Sequence, residues 1–567
     1  MKQPEIASPQ ARGDEVFDAV VVGAGFAGLY MLHRLRNLGF SAVVLEQADG
    51  VGGTWYWNRY PGARCDIESM QYSFQFDPRL EQEWEWTERY AAQPEILRYA
   101  EHVADRYDLR RDIRFGIRVV AAAFDETTGR WQLRTGAGDR VSARYCIMAT
   151  GCLSAPNTPR FEGLDLFAGP LYHTGTWPHE PVDFRGWRVG VIGTGSTAIQ
   201  AIPVIAGEAD HLYVFQRTPN YAVPAHNRPL HPDEQAEIKR RYPEIRARAK
   251  TTRNGVDHSP NPAAAVDTAE DERIEEFEAR WATGGLGFLG AFSDLLVDRE
   301  ANEMAAEFVR SKIRAKVEDP EVARLLEPRS TFGCKRLCVD IDYFETFNRP
   351  NVTLVDVSGR PIERIVPEGL VVGGATYEFD ALVLATGFDA MTGALGRIDI
   401  RGRGDLALKD KWKEGPRMYL GLATAGFPNL FVITGPGSPS VLSNMIPSIE
   451  QHADWIAGLL DHARSERRPV VEAAVEAEDG WVAHVNDAAN HTLFPSCNSW
   501  YLGANVPGKP RVFMPYPRMP AYVRRCDRVA ANGYEGFTLE EAPVMPLRGP
   551  DPGRHRRPAA VERSPVA

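Results

Sequence analysis

Two copies of one local grammar constrain this chain of 567 residues more than any other feature. In the first, the Val-rich run at 17–22 leads into Gly23-Ala24-Gly25-Phe26-Ala27-Gly28. Leu29, Leu32, Leu35 and Leu38 then recur near helical spacing, Gly39 stops the helix, and 42–45 reads as the next strand. A short β-branched run, a glycine turn and an apolar-faced helix describe a β-α-β unit with a buried parallel strand. In the second copy, a strand at 189–192 leads into Gly193-Thr194-Gly195-Ser196-Thr197-Ala198 and another helix. The motifs start 170 residues apart, too far for a solenoid repeat.

In such a turn the first glycine allows the bend, the second lets backbone approach a pyrophosphate, and the third lets helix and strand pack closely. The helix N-terminus then offers unpaired N–H groups to the phosphates. Both units therefore read as dinucleotide sites, the second with Ala198 as an accepted third residue. The end of the following strand separates them. Glu46, eighteen residues beyond Gly28, is placed to accept hydrogen bonds from ribose hydroxyls. The second unit has Phe215-Gln216-Arg217 there, with no carboxylate. Arg217 suits a 2′-phosphate because its fork donates two charge-assisted hydrogen bonds, with Thr218 beside it. That reads as NADPH rather than NADH; a plain surface arginine after a strand is the other reading. Two different strand-end chemistries imply two cofactors, and a flavin is the natural acceptor of hydride from NADPH.

The expected fold class is α/β, with two Rossmann-like dinucleotide-binding domains, for FAD and NADP, and a helical insertion in the NADP domain. The expected order is a flexible N-terminus (1–14), FAD domain (15–155), NADP domain (156–227), helical insertion (228–330), NADP domain again (331–386), FAD domain again (387–545) and a disordered Pro- and Arg-rich tail (546–567). The insertion is charged and carries helical patterns, with Asp319-Pro320 as a helix start. Hydrophobic residues make up 44% and charged residues 25%, which excludes a disordered chain or a coiled coil. A net charge of -11 makes a nucleic-acid partner a poor expectation. The longest nearly apolar stretch, 19–32, is too short and too glycine-broken to span a bilayer. No secretory leader is read in the first residues, so a cytoplasmic location is expected. The seven cysteines include no CxxC pair, and Cys334 and Cys338 have no nearby His pair. No metal site is expected, and the thiols read as reduced.

Between the two glycine motifs, residues 167–178 follow F-x-G-x-x-x-H-x-x-x-W-P through Phe167, Gly169, His173, Trp177 and Pro178. This resembles the fingerprint of type I Baeyer–Villiger monooxygenases, single-chain flavoproteins that turn ketones into esters or lactones. Segments 51–69, 331–348, 381–395, 435–445 and 499–513 look like family segments too, so the resemblance runs from about residue 15 to 540. The phenylacetone and steroid monooxygenase branch is the most similar.

The resemblance implies FAD, NADPH and O2, and passage through a C4a-peroxyflavin and a Criegee intermediate. It implies that Arg336 is the fixed positive charge beside the reacting oxygen and that Asp66 holds it; arginine suits this because it stays protonated. From the bare residues, a salt-bridged arginine and a turn-forming aspartate are the other readings. It further implies flavin contacts at Thr54, Trp55, Asp66, Tyr72, the Val119 backbone and Met445. Lys335, Arg336 and Trp500 fall to NADP, although Trp500 reads equally as a core aromatic. Cys152, Leu153, Ser440, Val441 and Leu442 fall to the ketone pocket. His173 is read as positioning elements around the cofactors, not as a base. The expected partners are a small ketone and O2, with no nucleic acid and no membrane, for a monomer or weak oligomer. A flavin N- or S-monooxygenase is the alternative enzyme, which Trp177 and Arg336 argue against. The missing CxxC argues against a disulfide reductase. A non-catalytic flavoprotein sensor rests only on the Arg-rich tail.

Overall fold

The computed structural model describes residues 15–543, so the expected flexible N-terminus and the Pro/Arg-rich tail lie outside the described residues. The first glycine unit forms as its pattern predicts. Strand Glu15–Val22, helix Phe26–Asn37 and strand Ala42–Leu45 follow one another, and the two strands pair in parallel with Val20 opposite Val43. Strand Arg140–Met148 lies parallel on the other side, with Val22 opposite Met148. These strands form the middle of an eight-stranded sheet completed by Ile113–Arg114, Val119–Asp125, Arg130–Thr135, Asp399–Arg401 and Leu430–Val432. The last two come from the far end of the sequence, so the chain returns to its first sheet after leaving it.

The second glycine unit organises a separate five-stranded parallel sheet. Its order is Val352–Asp356, His211–Gln216, Arg188–Ile192, Ala381–Leu384 and Leu171–His173. The strand bearing His173 is therefore an edge strand, with His173 opposite Leu384. Trp177 is buried and stacks on Tyr172 at 5.1 Å, while Phe167 packs on Phe379 at 5.5 Å. Gly169 admits no side chain, because a Cβ there would meet Asp380 O at 2.2 Å. The fingerprint is thus largely a packing device that fixes this edge strand.

The insertion is helical from Pro232–Arg240 to Pro320–Leu326, and Asp319 caps the last helix by accepting from the N–H groups of Glu321 and Val322. It docks on two bodies rather than one. Phe277, Phe288 and Phe308 share a core with Val191, Ile199 and Val214 of the second sheet. Tyr242 and Val256 belong instead to the core around the first glycine unit. There Arg246 pairs with Glu81 at 3.1 Å and donates to Ser73 Oγ at 2.7 Å. Charge and helical periodicity reveal helices but not what each face meets, and the insertion packs on both cores.

One correction concerns the thiols. Cys334 and Cys497 form a disulfide across a sequence separation of 163 residues. The expectation of reduced cysteines rested on local spacing, and a pair this distant leaves no local signature. The other five cysteines are free and buried. Among the described residues no helix is long and apolar enough to cross a membrane, and no cluster of metal-binding side chains is present.

Candidate active site

A cavity of about 2240 Å³ runs between the two sheets, and both glycine turns open onto it. At the first turn, Gly23 has φ +105°, and a Cβ on Gly28 would lie 1.8 Å from Gly23 O. Only hydrogen fits there, so the helix seats directly on the turn. Gly28 and Ala198 pack behind their turns, and neither reaches the cavity wall. Gly25 and Gly195 cap their helices without a side-chain hydrogen bond, and neither helix has an acidic residue in its first turn. Three other helices are capped by Asp77, Asp298 and Asp319. Uncapped first turns facing a cavity leave N–H groups and a positive dipole end for anions, which fits two pyrophosphates.

Glu46 lies on the wall, buried, accepting from the N–H of Ala24 at 2.6 Å and of Ala48 at 2.8 Å. Burial raises its pKa, and those N–H donors oppose the rise. Each carboxylate oxygen keeps a lone pair for a ribose hydroxyl. Thr54, Trp55, Tyr72, Val119 and Met445 also line this half, with Phe26 at the turn. Trp55 Nε1 donates to the Tyr72 hydroxyl at 3.1 Å, which locks two aromatic walls together.

In the other half, Thr194, Ser196, Thr197, Arg217, Thr218, Lys335 and Trp500 line the wall. Thr194 Oγ1 donates to Thr218 O at 2.9 Å, so that hydroxyl is already used within the protein. Burial and the charge of Arg217 lower the pKa of Lys335. Neither cation forms a salt bridge within the described residues. Two facing cations on a cavity wall form a site for a dianion such as a 2′-phosphate.

Arg336 and Asp66 meet on the cavity wall beside the helix of the second glycine turn. Arg336 Nε donates to Asp66 Oδ2 at 2.9 Å; Asp66 is 5% exposed and Arg336 28%, open toward the cavity. Burial disfavours the guanidinium charge, but Asp66 outweighs it and raises the Arg336 pKa. Asp66 is held in turn by Gln200 Nε2 at 3.3 Å and Ser196 Oγ at 3.4 Å, both on the helix of the second glycine turn. The sequence reading missed Gln200, although its place one turn after Ser196 puts both on one helix face.

Of the expected pocket residues, Cys152, Leu153 and Val441 line the cavity. Ser440 and Leu442 do not. Ser440 is fully buried with its hydroxyl 3.3 Å from Cys152 Sγ, and Leu442 packs into the apolar cluster with Trp500. The loop 435–440 ends on a positive φ at Ser440, a conformation its Gly/Pro/Ser composition does not specify. The fingerprint residues also lie off the wall, while their neighbours Gly175 and Thr176 are on it. His173 Nδ1 accepts from the Gly175 N–H at 3.0 Å, which leaves Nε2 to donate toward Asn157 O at 3.3 Å. Burial lowers its pKa, so His173 is a neutral brace at the chain crossing between the sheets.

A fold with two dinucleotide turns on one cavity matches the pyridine nucleotide-disulphide oxidoreductase family over residues 20–306. More specific relatives cover nearly the whole chain. A Baeyer–Villiger monooxygenase of Pseudooceanicola batsensis is 44% identical over 92% of this chain and 95% of its own length. Phenazine N-monooxygenase PhzNO1 of Lysobacter antibioticus is 42% identical over 93% and 98%. The solved structure of oxidized steroid monooxygenase bound to NADP superposes with TM-score 0.89 and 51% identity, covering 93% of this chain and all of that one. The chain belongs to the Baeyer–Villiger monooxygenases, FAD-containing and NADPH-dependent enzymes.

Proposed function

We propose that this chain uses NADPH and O2 to insert one oxygen atom beside a ketone carbonyl, giving an ester or lactone. Aryl, cyclic and steroidal ketones are the substrate classes considered. FAD lies along the first turn and NADP(H) along the second. We assign 15–155 and 387–545 to the FAD half and 156–227 and 331–386 to the NADP half, an assignment the two sheets support. When bound, the flavin accepts hydride from NADPH and activates O2.

The observation that carries this reading is the Arg336–Asp66 pair on the wall of the cavity that both turns share. A guanidinium stays charged at any working pH and favours an anionic oxygen nucleophile over its protonated form. The same charge stabilises the oxyanion formed as that nucleophile adds to C=O. Asp66 engages Nε and Nη1 donates toward Val441 O at 3.5 Å, which leaves Nη2 to face the cavity. Since Ser196 and Gln200 hold Asp66, the second glycine helix positions the charge. Trp55, Tyr72 and Trp500 narrow the space and exclude water, which would divert the oxygen.

Incubation under ¹⁸O2 with aryl, cyclic and steroidal ketones tests the reading. One labelled oxygen in an ester or lactone supports it; no labelled product from any ketone refutes it. The similarity to a phenazine N-monooxygenase supports a second reading, N-oxygenation, so phenazine belongs in the same panel. Coenzyme choice gives an independent result. Arg217→Ala is expected to raise KM for NADPH about 10- to 100-fold, the value of one or two lost charge-assisted hydrogen bonds. KM for NADH should stay within about threefold. Equal losses for both coenzymes would place Arg217 elsewhere than at the 2′-phosphate. The reading extends to a cytoplasmic enzyme acting as a monomer or weak oligomer, which sedimentation of the holoenzyme tests.

A further inference from the structure

The Cys334–Cys497 bond joins the two chain segments that close one side of the cavity. Cys334 immediately precedes Lys335 and Arg336, and Cys497 lies three residues before Trp500. Cys497, Asn498, Ser499 and Trp500 all line the cavity. Their segment has little structure of its own, only the short turns Phe494–Ser496 and Trp500–Leu502. At its far end it is latched by Lys509 to Asp389 at 2.5 Å and by Asn505 Nδ2 to Phe388 O at 2.7 Å. At its near end the other polar ties are the exposed hydrogen bond from Ser496 to Thr331 at 2.8 Å and that from the Leu493 N–H to Leu296 O at 2.8 Å. Ser499 Oγ is buried without a partner. Phe494 and Tyr501 pack there in an apolar cluster with Leu296 and Val441, and the disulfide is the covalent tie between this end and the Arg336 segment.

We propose that this disulfide is a redox-sensitive staple that holds the Trp500 wall against the Arg336 segment, and that its reduction loosens the hold on NADP. The effect on NADP rests on the reading of the cavity given above; the staple itself does not. The two sulfurs differ in access. Cys334 is 1% exposed, whereas Cys497 is half-buried on the cavity wall. A thiolate of a dithiol reductant attacks Cys497 Sγ, and Cys334 leaves as thiolate and takes a proton. The second thiol of the reductant then displaces Cys497. The protein gains two thiols, and the reductant, having lost two electrons and two protons, leaves as its cyclic disulfide. Hydrogen peroxide reverses the change: two thiols and one peroxide give the disulfide and two waters.

The test uses the full-length holoenzyme, air-oxidised or treated with dithiothreitol, then alkylated, with hydrogen exchange read over 494–513. Peptide masses should show Cys334 and Cys497 alkylated only after reduction. Exchange over the segment should rise on reduction and fall again after peroxide. NADP⁺ should bind about 3- to 10-fold more weakly to the reduced form, the cost of ordering a wall no longer pre-organised. Cys497→Ser should behave like the reduced enzyme and ignore dithiothreitol. Alkylation of both cysteines in the oxidised enzyme would overturn the proposal, as would reduction that leaves exchange unchanged. If exchange responds while neither form binds NADP⁺, the staple stands, and the assignment of the cavity to NADP fails.

Discussion

Arg336→Ala enzyme is expected to form ester about 10²–10³-fold more slowly than its parent, the usual loss when one donor aimed at a developing oxyanion is removed. NADPH-driven bleaching of the flavin should stay within about threefold, because hydride transfer creates no oxyanion for the guanidinium to hold. The electrons then have no productive outlet, and hydrogen peroxide should appear in near-stoichiometric yield with NADPH consumed. The substitution also leaves Asp66 buried with only Gln200 and Ser196 as partners. Removing one member of a buried ion pair costs about 3–5 kcal/mol, so flavin content must be checked alongside rate. Arg336→Lys separates the two effects. It keeps a charge but not the fork that lets Nε serve Asp66 and Nη1 reach Val441 O while Nη2 faces the cavity, so it should fold well and still be slow. Parental ester formation by Arg336→Ala would remove Arg336 from the chemistry, and by Arg336→Lys would show that charge without the fork suffices.

Glu450→Gln is expected to abolish a pH dependence of stability. Glu450 lies in helix Met445–Ser465, whose first residue lines the cavity. Its Oε1 accepts from the N–H groups of Gln75 and Phe76 at 2.7 and 3.0 Å, just beyond the wall residue Tyr72. Burial pushes its pKa from the ordinary 4.5 up to about 8, against those donors and the pull of Arg246. Between these values the folded protein keeps a proton that the unfolded chain has released. Stability therefore falls as pH rises from about 4.5 to 8, by about 3–5 kcal/mol for this group alone. Glutamine keeps an acceptor for both N–H groups and cannot ionise. The variant should match its parent near pH 5 and melt several degrees higher at pH 8.5. Because other groups titrate identically in both proteins, the difference between their melting curves isolates Glu450. A difference that does not change with pH would show that the carboxyl ionises normally in the folded state.

How the site is shared between sequence and structure shows in particular residues. Both glycine turns were legible because their logic is local: a strand, a bend only glycine can make and a helix follow within a few residues. Glu46 and Arg217 were legible because a strand end sits at a set distance from its turn. Arg336 and Asp66 were not legible as a pair from the bare residues. They are 270 residues apart, and only the resemblance to a family proposed that they meet. Ser440 and Leu442, expected at the ketone pocket, lie off the cavity wall, and loop composition alone does not say which side chains face inward.

The order of strands and helices, the two nucleotide turns and the chemistry at each strand end are properties of short stretches, and the amino-acid sequence determined them unaided. The closing of Cys334 on Cys497, the docking of one insertion on two cores and the bracing of Asp66 from the second helix were decided only by the tertiary fold. Each depends on packing between segments far apart in the sequence. Side-chain periodicity reports which face is apolar, but not which distant surface will cover it.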